Sequence, residues 1–139
     1  MTNRVLVLRK LAALREHAAN ARARRPASEG PLRSDAVLRD ALALSVLVAI
    51  QEAIDIAFHV ATDEGWGVPA TFAESFDLLA GHGVLDEGVA RAMAAASALR
   101  NRIAHSYASV DVDRFWRELP TGLDAIDRFA DGILRFVGP

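Results

Sequence analysis

The chain has no cysteine, a single tyrosine, and a single lysine among its sixteen basic residues. Without cysteine there is no disulfide framework and no thiolate to ligate a metal, so a cytoplasmic protein is expected. The opening residues, Met1-Thr2-Asn3-Arg4, lack the basic region, apolar core and small-residue cleavage site of an export signal. Nor is there a glycine-rich phosphate loop, a Gly-x-Ser-x-Gly turn or any strand-like alternation. Those absences argue against nucleotide-binding α/β folds and serine hydrolases.

What the chain does have is apolar residues, at 52% of 139 positions. One domain spanning residues 1–139 can bury a core from these without metals or disulfides. The net charge of −2 hides a split, because residues 1–40 hold nine basic and four acidic side chains against seven and fourteen in the rest. Such a basic segment either attracts RNA phosphates or is an arginine-rich solvated helix face, the commoner meaning of such a bias.

Periodicity predicts helices throughout. The first covers residues 3–24, with Val5, Leu8, Leu11, Ala12 and Arg15 on one face. Pro26, Gly30 and Pro31 end it in a turn. A second, capped by Ser34 or Asp35, runs to about Glu64, and its middle, residues 41–50, is apolar nearly all round. Ten residues are too short for a bilayer, which needs about 20, so no membrane span is expected. A helix apolar on every side must instead be covered on every side, most easily by dimerisation. Its later part carries Glu52, Asp55 and His59 on one face. Bundle di-metal sites use such residues, but a matching set from partner helices is missing. An Asp–His hydrogen bond at the core edge is the simpler expectation, and no metal or cofactor is expected. Thr71 to Glu74 read as a capping box opening a short helix. Asp86 caps the next one. A final helix starts at Asp111 with Phe115, Trp116 and Leu119 on its apolar face, and Pro120 is expected to break or kink it. Trp116 at this spacing reads as core rather than as a base-stacking platform.

The chemistry is concentrated in Arg100-Asn101-Arg102-Ile103-Ala104-His105-Ser106-Tyr107, which places guanidinium, amide, imidazole and phenol on little more than two helical turns. Asn101 lies one turn before His105, so its amide could hold one imidazole nitrogen and leave the other for proton transfer. Arg100 and His105 diverge by about 140° around a helix and roughly 7.5 Å along it. A two-fold pairing of identical helices would bring both into a shared cleft. Arg102 either grips a phosphate or is surface.

The spacing Arg-x4-His-x-Tyr, with a polar residue after the arginine, resembles the signature of the HEPN superfamily, and the trailing tyrosine narrows the likeness to its HepT-like group. The resemblance continues through Gln51-Glu52-Ala53-Ile54-Asp55-Ile56-Ala57-Phe58-His59, Gly67-Val68-Pro69, Phe72-Ala73-Glu74-Ser75-Phe76, Leu79 and Gly83-Val84-Leu85. It implies an all-α, up-down bundle of about five helices, dimeric, acting as the ribonuclease toxin of a toxin–antitoxin module. Arg100 and His105 would be the catalytic pair and Asn101 the supporting residue. It further implies a cognate minimal nucleotidyltransferase antitoxin, in a larger complex with the toxin, that transfers AMP to Tyr107.

On that reading His105 takes the 2′-hydroxyl proton of RNA or protonates the leaving oxygen, while Arg100 neutralises the phosphate. DNA, lacking the 2′-hydroxyl, is spared, and no metal-bound water is required. The alternative expectation, from another class, is a non-catalytic helical subunit that holds substrate for a nucleotidyltransferase. Tyr107 has a plainer reading too, as a side chain packed beneath the helix end with its hydroxyl bonded.

Overall fold

The computed structural model describes residues 1–138. It contains six α-helices: α1 (Arg4–Arg24), α2 (Gly30–Ser34), α3 (Ala36–Asp63), α4 (Phe72–Gly81), α5 (Glu87–Ser106) and α6 (Val112–Val137), with a 3-10 turn at Tyr107–Ser109 between the last two. No strand occurs among the described residues, so the all-α bundle expected from the sequence is the one seen.

Helix α3 is the axis of the molecule, since each of the other five helices packs against it. Asp35 caps it by accepting from the Leu38 N–H at 3.1 Å. Its buried residues, from Leu42 and Ala43 through Ile50, Ile54 and Ile56 to Ala61, cover much of its circumference. By length and composition an 18-residue window of α3 is apolar enough to cross a membrane, and 56% of that window is buried inside the protein. The coverage is incomplete in one direction, where Val37 is 80% and Leu44 62% exposed.

Helix α1 is rotated from the expected face, sharing Leu11 with it. Val7, Leu11, Leu14, Ala18 and Ala21 are buried, whereas Val5 is 61% exposed. Both stripes are apolar at helical spacing, and packing against α3 and α6 selects between them. The turn after α1 also holds more structure than expected. Pro31 lies in the first turn of α2, where its fixed φ suits a helix and its missing N–H leaves no bond unmade. Pro120, likewise, does not end α6, which runs unbroken through it. Leu119 and Leu123 are buried on either side, and that packing offsets the roughly 3 kcal/mol cost of an interior proline.

The Thr71 cap forms, with the reciprocal bond displaced by one residue from that of a capping box. Thr71 Oγ1 accepts from the Glu74 N–H at 3.1 Å, and Glu74 reaches back to the Ala70 N–H at 3.0 Å. Asp86 occupies the cap position of α5 without a side-chain capping bond. The expected Asp55–His59 bond does not form. Asp55 instead accepts from Gln51 Nε2 at 2.9 Å and pairs with Lys10 at 3.5 Å, and Glu52 lies 3.6 Å from the same ammonium. The Lys10 ammonium of α1 and the Gln51 amide occupy the carboxylate instead.

Candidate active site

The polar octapeptide forms the last turns of α5 and the start of the 3-10 turn. Leu99 and Ile103 point into the core, at 4% and 6% exposure, and they fix which way the polar residues between them face. Arg100 and Arg102 are half-buried, whereas Asn101, His105 and Ser106 are exposed.

Arg100 is held by three groups. Its Nε donates to Gln51 Oε1 of α3 at 2.9 Å, its Nη1 donates to Asn101 Oδ1 at 3.1 Å, and its guanidinium lies 5.6 Å from the centre of the Phe72 ring. Neither bond uses Nη2. The Gln51 amide is itself oriented by Asp55, which Lys10 balances, so an ordered chain of polar groups runs from α1 to the arginine. Asn101 therefore meets the guanidinium rather than the imidazole of His105, a correction to the pairing expected from helical spacing. The adjacent arginine is a cationic donor, and a charge-assisted bond to it holds the amide oxygen.

His105 stands on the exposed side of the helix end, one turn beyond Asn101. Within one chain, Arg100 turns toward α3 and α4 while His105 faces outward. Arg102 is committed elsewhere, to Glu118 of α6 at 2.5 Å, and Glu118 also takes Arg114 Nε at 2.7 Å. Beside this trio lies a cavity of about 310 Å³ lined by Leu99, Arg102, Ser106, Val110, Arg114 and Phe115.

Tyr107 crosses to α3, where its hydroxyl donates to Asp40 Oδ1. Partial burial raises the phenol pKa, the Asp40 bond raises it further, and Arg39 opposes both. Neither a role for Asp40 nor a contact for Gln51 is evident from the sequence alone. The available signal is positional: Val37, Asp40, Leu44, Val48, Gln51 and Asp55 fall within about 80° of one another on α3. The octapeptide lies along that stripe, bonded to it at Asp40 and Gln51.

The remaining singled-out residues lie elsewhere. Glu52, Asp55 and His59 form no metal-ligating group, and none of three or more His, Cys, Asp or Glu occurs among the described residues. Trp116 is half-buried with Arg25 stacked 4.5 Å above it.

Comparison with known proteins places residues 8–133 in the family described as ribonuclease HepT-like. The chain is 26% identical over 101 residues to the mRNA nuclease HepT of Shewanella oneidensis, covering 73% of this chain and 76% of that one. A solved structure of a tri-AMPylated Shewanella oneidensis HEPN toxin in complex with MNT antitoxin superimposes with a TM-score of 0.85 at 21% identity, over 97% of this chain and 99% of that one. The cytosolic protein of unknown function YutE from Bacillus subtilis shares the fold at TM-score 0.81 and 15% identity, over 97% and 90% of the two chains.

Proposed function

The chain belongs to the ribonuclease HepT-like family, and from that premise we propose that it is the toxin of a toxin–antitoxin pair, an endoribonuclease of the cytoplasm working as one HEPN domain over residues 1–139. Arg100 and His105 are its catalytic pair. The observation that carries this is the mooring of Arg100 by Gln51, Asn101 and Phe72, because a guanidinium fixed in three directions is preorganised to meet a charge that develops later. Nothing in the bundle core requires an arginine there.

The reaction follows from the two side chains. His105 takes the proton of a ribose 2′-hydroxyl or returns one to the leaving 5′-oxygen, and Arg100 stabilises the phosphate as its charge rises. The 2′-hydroxyl is the nucleophile, so RNA is cut and DNA is not. Asn101 supports the pair through the arginine. Arg102, already bonded to Glu118, contributes at most to a flanking phosphate.

The active form is a homodimer. Arg100 and His105 face apart in one chain, and the exposed Val37 and Leu44 flank the Asp40 anchor of Tyr107. Covering them with a second copy would bring two motifs to one cleft. A minimal nucleotidyltransferase antitoxin, in a larger complex with the dimer, silences the enzyme by attaching AMP to Tyr107. Each phosphodiester would place an anion beside the cations that should hold RNA.

Purified protein incubated with RNA tests the assignment. His105→Ala should slow cleavage by about 10²–10⁴-fold, the usual worth of a general acid–base group, with an unchanged melting temperature. Cleavage by this variant at the wild-type rate would remove His105 from the mechanism.

A further inference from the structure

We propose that Asp40 is the proton acceptor for Tyr107 when its hydroxyl attacks a nucleoside triphosphate, an inference that rests on the reading of Tyr107 as the site of AMP attachment. Tyr107 sits at the first position of the 3-10 turn after α5, and its hydroxyl donates to Asp40 Oδ1, 67 residues earlier in the chain. Both residues are exposed, Tyr107 at 37%. Water could satisfy either group, so burial does not demand the contact. What the contact does is turn the phenolic O–H toward a carboxylate on an exposed face of the chain.

The chemistry of the step needs such a group. Partial burial and the Asp40 bond raise the phenol pKa, with only Arg39 opposing them, so the hydroxyl keeps its proton near neutral pH. A protonated phenol is a weak nucleophile until a base takes its proton. Arg39 and Asp40 are the charged groups acting on it, and Arg39 is anchored by Nη1 to the carbonyl oxygens of Leu32 and Arg33. Asp40 is thus the base already in place.

The balance is simple. Tyr107 Oη forms a bond to the α-phosphorus, the bond from that phosphorus to the oxygen bridging to the β-phosphate breaks, and pyrophosphate leaves with the electron pair. The phenolic proton passes to the Asp40 carboxylate. Its neutralisation also removes the repulsion that an ionised carboxylate would exert on the new phosphodiester. The toxin on this account supplies a base for its own inactivation, while the nucleotidyltransferase supplies the nucleotide and metal.

The test uses the full chain, its cognate nucleotidyltransferase, ATP and Mg²⁺, with the first AMP increment followed by intact mass in single turnover. Asp40→Asn keeps an oxygen that can accept the Tyr107 hydrogen bond but cannot take the proton. It should be modified about 100-fold more slowly near neutral pH. The gap should narrow as the pH rises past the ordinary phenol value of about 10, where the phenol begins to ionise without help. A rate for Asp40→Asn equal to wild type would overturn the proposal, as would a deficit constant across pH, since that marks orientation alone. If wild-type chain gains no AMP from a transferase shown to turn over ATP, the reading of Tyr107 itself falls, and the role of Asp40 with it.

Discussion

A free arginine side chain has about 2 kcal/mol of rotamer entropy to lose when it settles on a phosphate. In this chain Arg100 has already lost it, because Gln51 Oε1 receives its Nε at 2.9 Å and Asp55 holds the Gln51 amide in turn. A hydrogen bond to a charged group is worth about 1.5–3 kcal/mol. Gln51→Ala should therefore slow RNA cleavage at saturating substrate by about tenfold or more, and Gln51→Glu, which keeps an acceptor for Nε but loses the donor to Asp55 and sets two carboxylates together, should not restore the full rate. Single-turnover cleavage of the two variants beside wild type decides it; equal rates for Gln51→Ala and wild type would make the mooring irrelevant. The contrast between Arg100 and Gln51 shows what a sequence conveys at this scale. Arg100, Asn101, His105 and Tyr107 stand out because four polar chemistries crowd into eight residues. Gln51 and Asp40 look like ordinary polar positions on a long helix. Their roles come from where α5 meets α3, and separations of 49 and 67 residues carry no local signal of that. Asn101 shows the converse: spacing alone assigned it to His105, and competition among donors gave it to Arg100.

Among the elements, those with strong local chemistry were legible. Asp35 and Thr71 cap the helices they were expected to cap, and the apolar run of residues 41–50 belongs to the central helix. Where two outcomes were locally equivalent, tertiary packing chose: α1 buries Val7 rather than Val5, and α6 continues through Pro120. Gly132 belongs to this class. It lies within α6, buried, where a Cβ would come 2.8 Å from the carbonyl oxygen of Val84 and 2.9 Å from Leu85 Cδ2. The turn between α4 and α5 thus rests directly on the α6 backbone. Alanine is favoured over glycine in a helix by about 1 kcal/mol, but the clash is with backbone, which cannot swing aside. Overpacking of that kind costs about 1–3 kcal/mol. Gly132→Ala should lower stability on balance, visible as a reduced urea midpoint with an unchanged slope; a raised midpoint would mean that the turn yields freely.

At the scale of the whole molecule, the charge split finds its counterpart across the bundle. Arg15 and Arg22 of the basic first helix pair with Asp131 and Asp127 of α6 at 3.0 and 2.6 Å. Exposed pairs of this sort contribute about 0–1 kcal/mol each, so they complement the α1–α6 contact without creating it. The apolar surface is less evenly settled. Val37 and Leu44 remain 80% and 62% exposed on the α3 stripe that also anchors Tyr107 through Asp40 and Arg100 through Gln51. Exposed aliphatic side chains beside a polar motif fit a surface that meets its own copy, where the two-fold axis would set His105 of one protomer near Arg100 of the other. Placing a carboxylate in the middle of that surface should split the pair, because two buried unpaired charges would face each other across the axis. Leu44→Glu is accordingly expected to shift the mass measured by light scattering toward the 15.0 kDa of one chain. It should keep the helical circular dichroism, since Leu44 contributes little to the core of its own chain. Cleavage of RNA should fall with the dimer. A Leu44→Glu protein that is monomeric yet cuts RNA at the wild-type rate would show that one chain brings Arg100 and His105 together unaided.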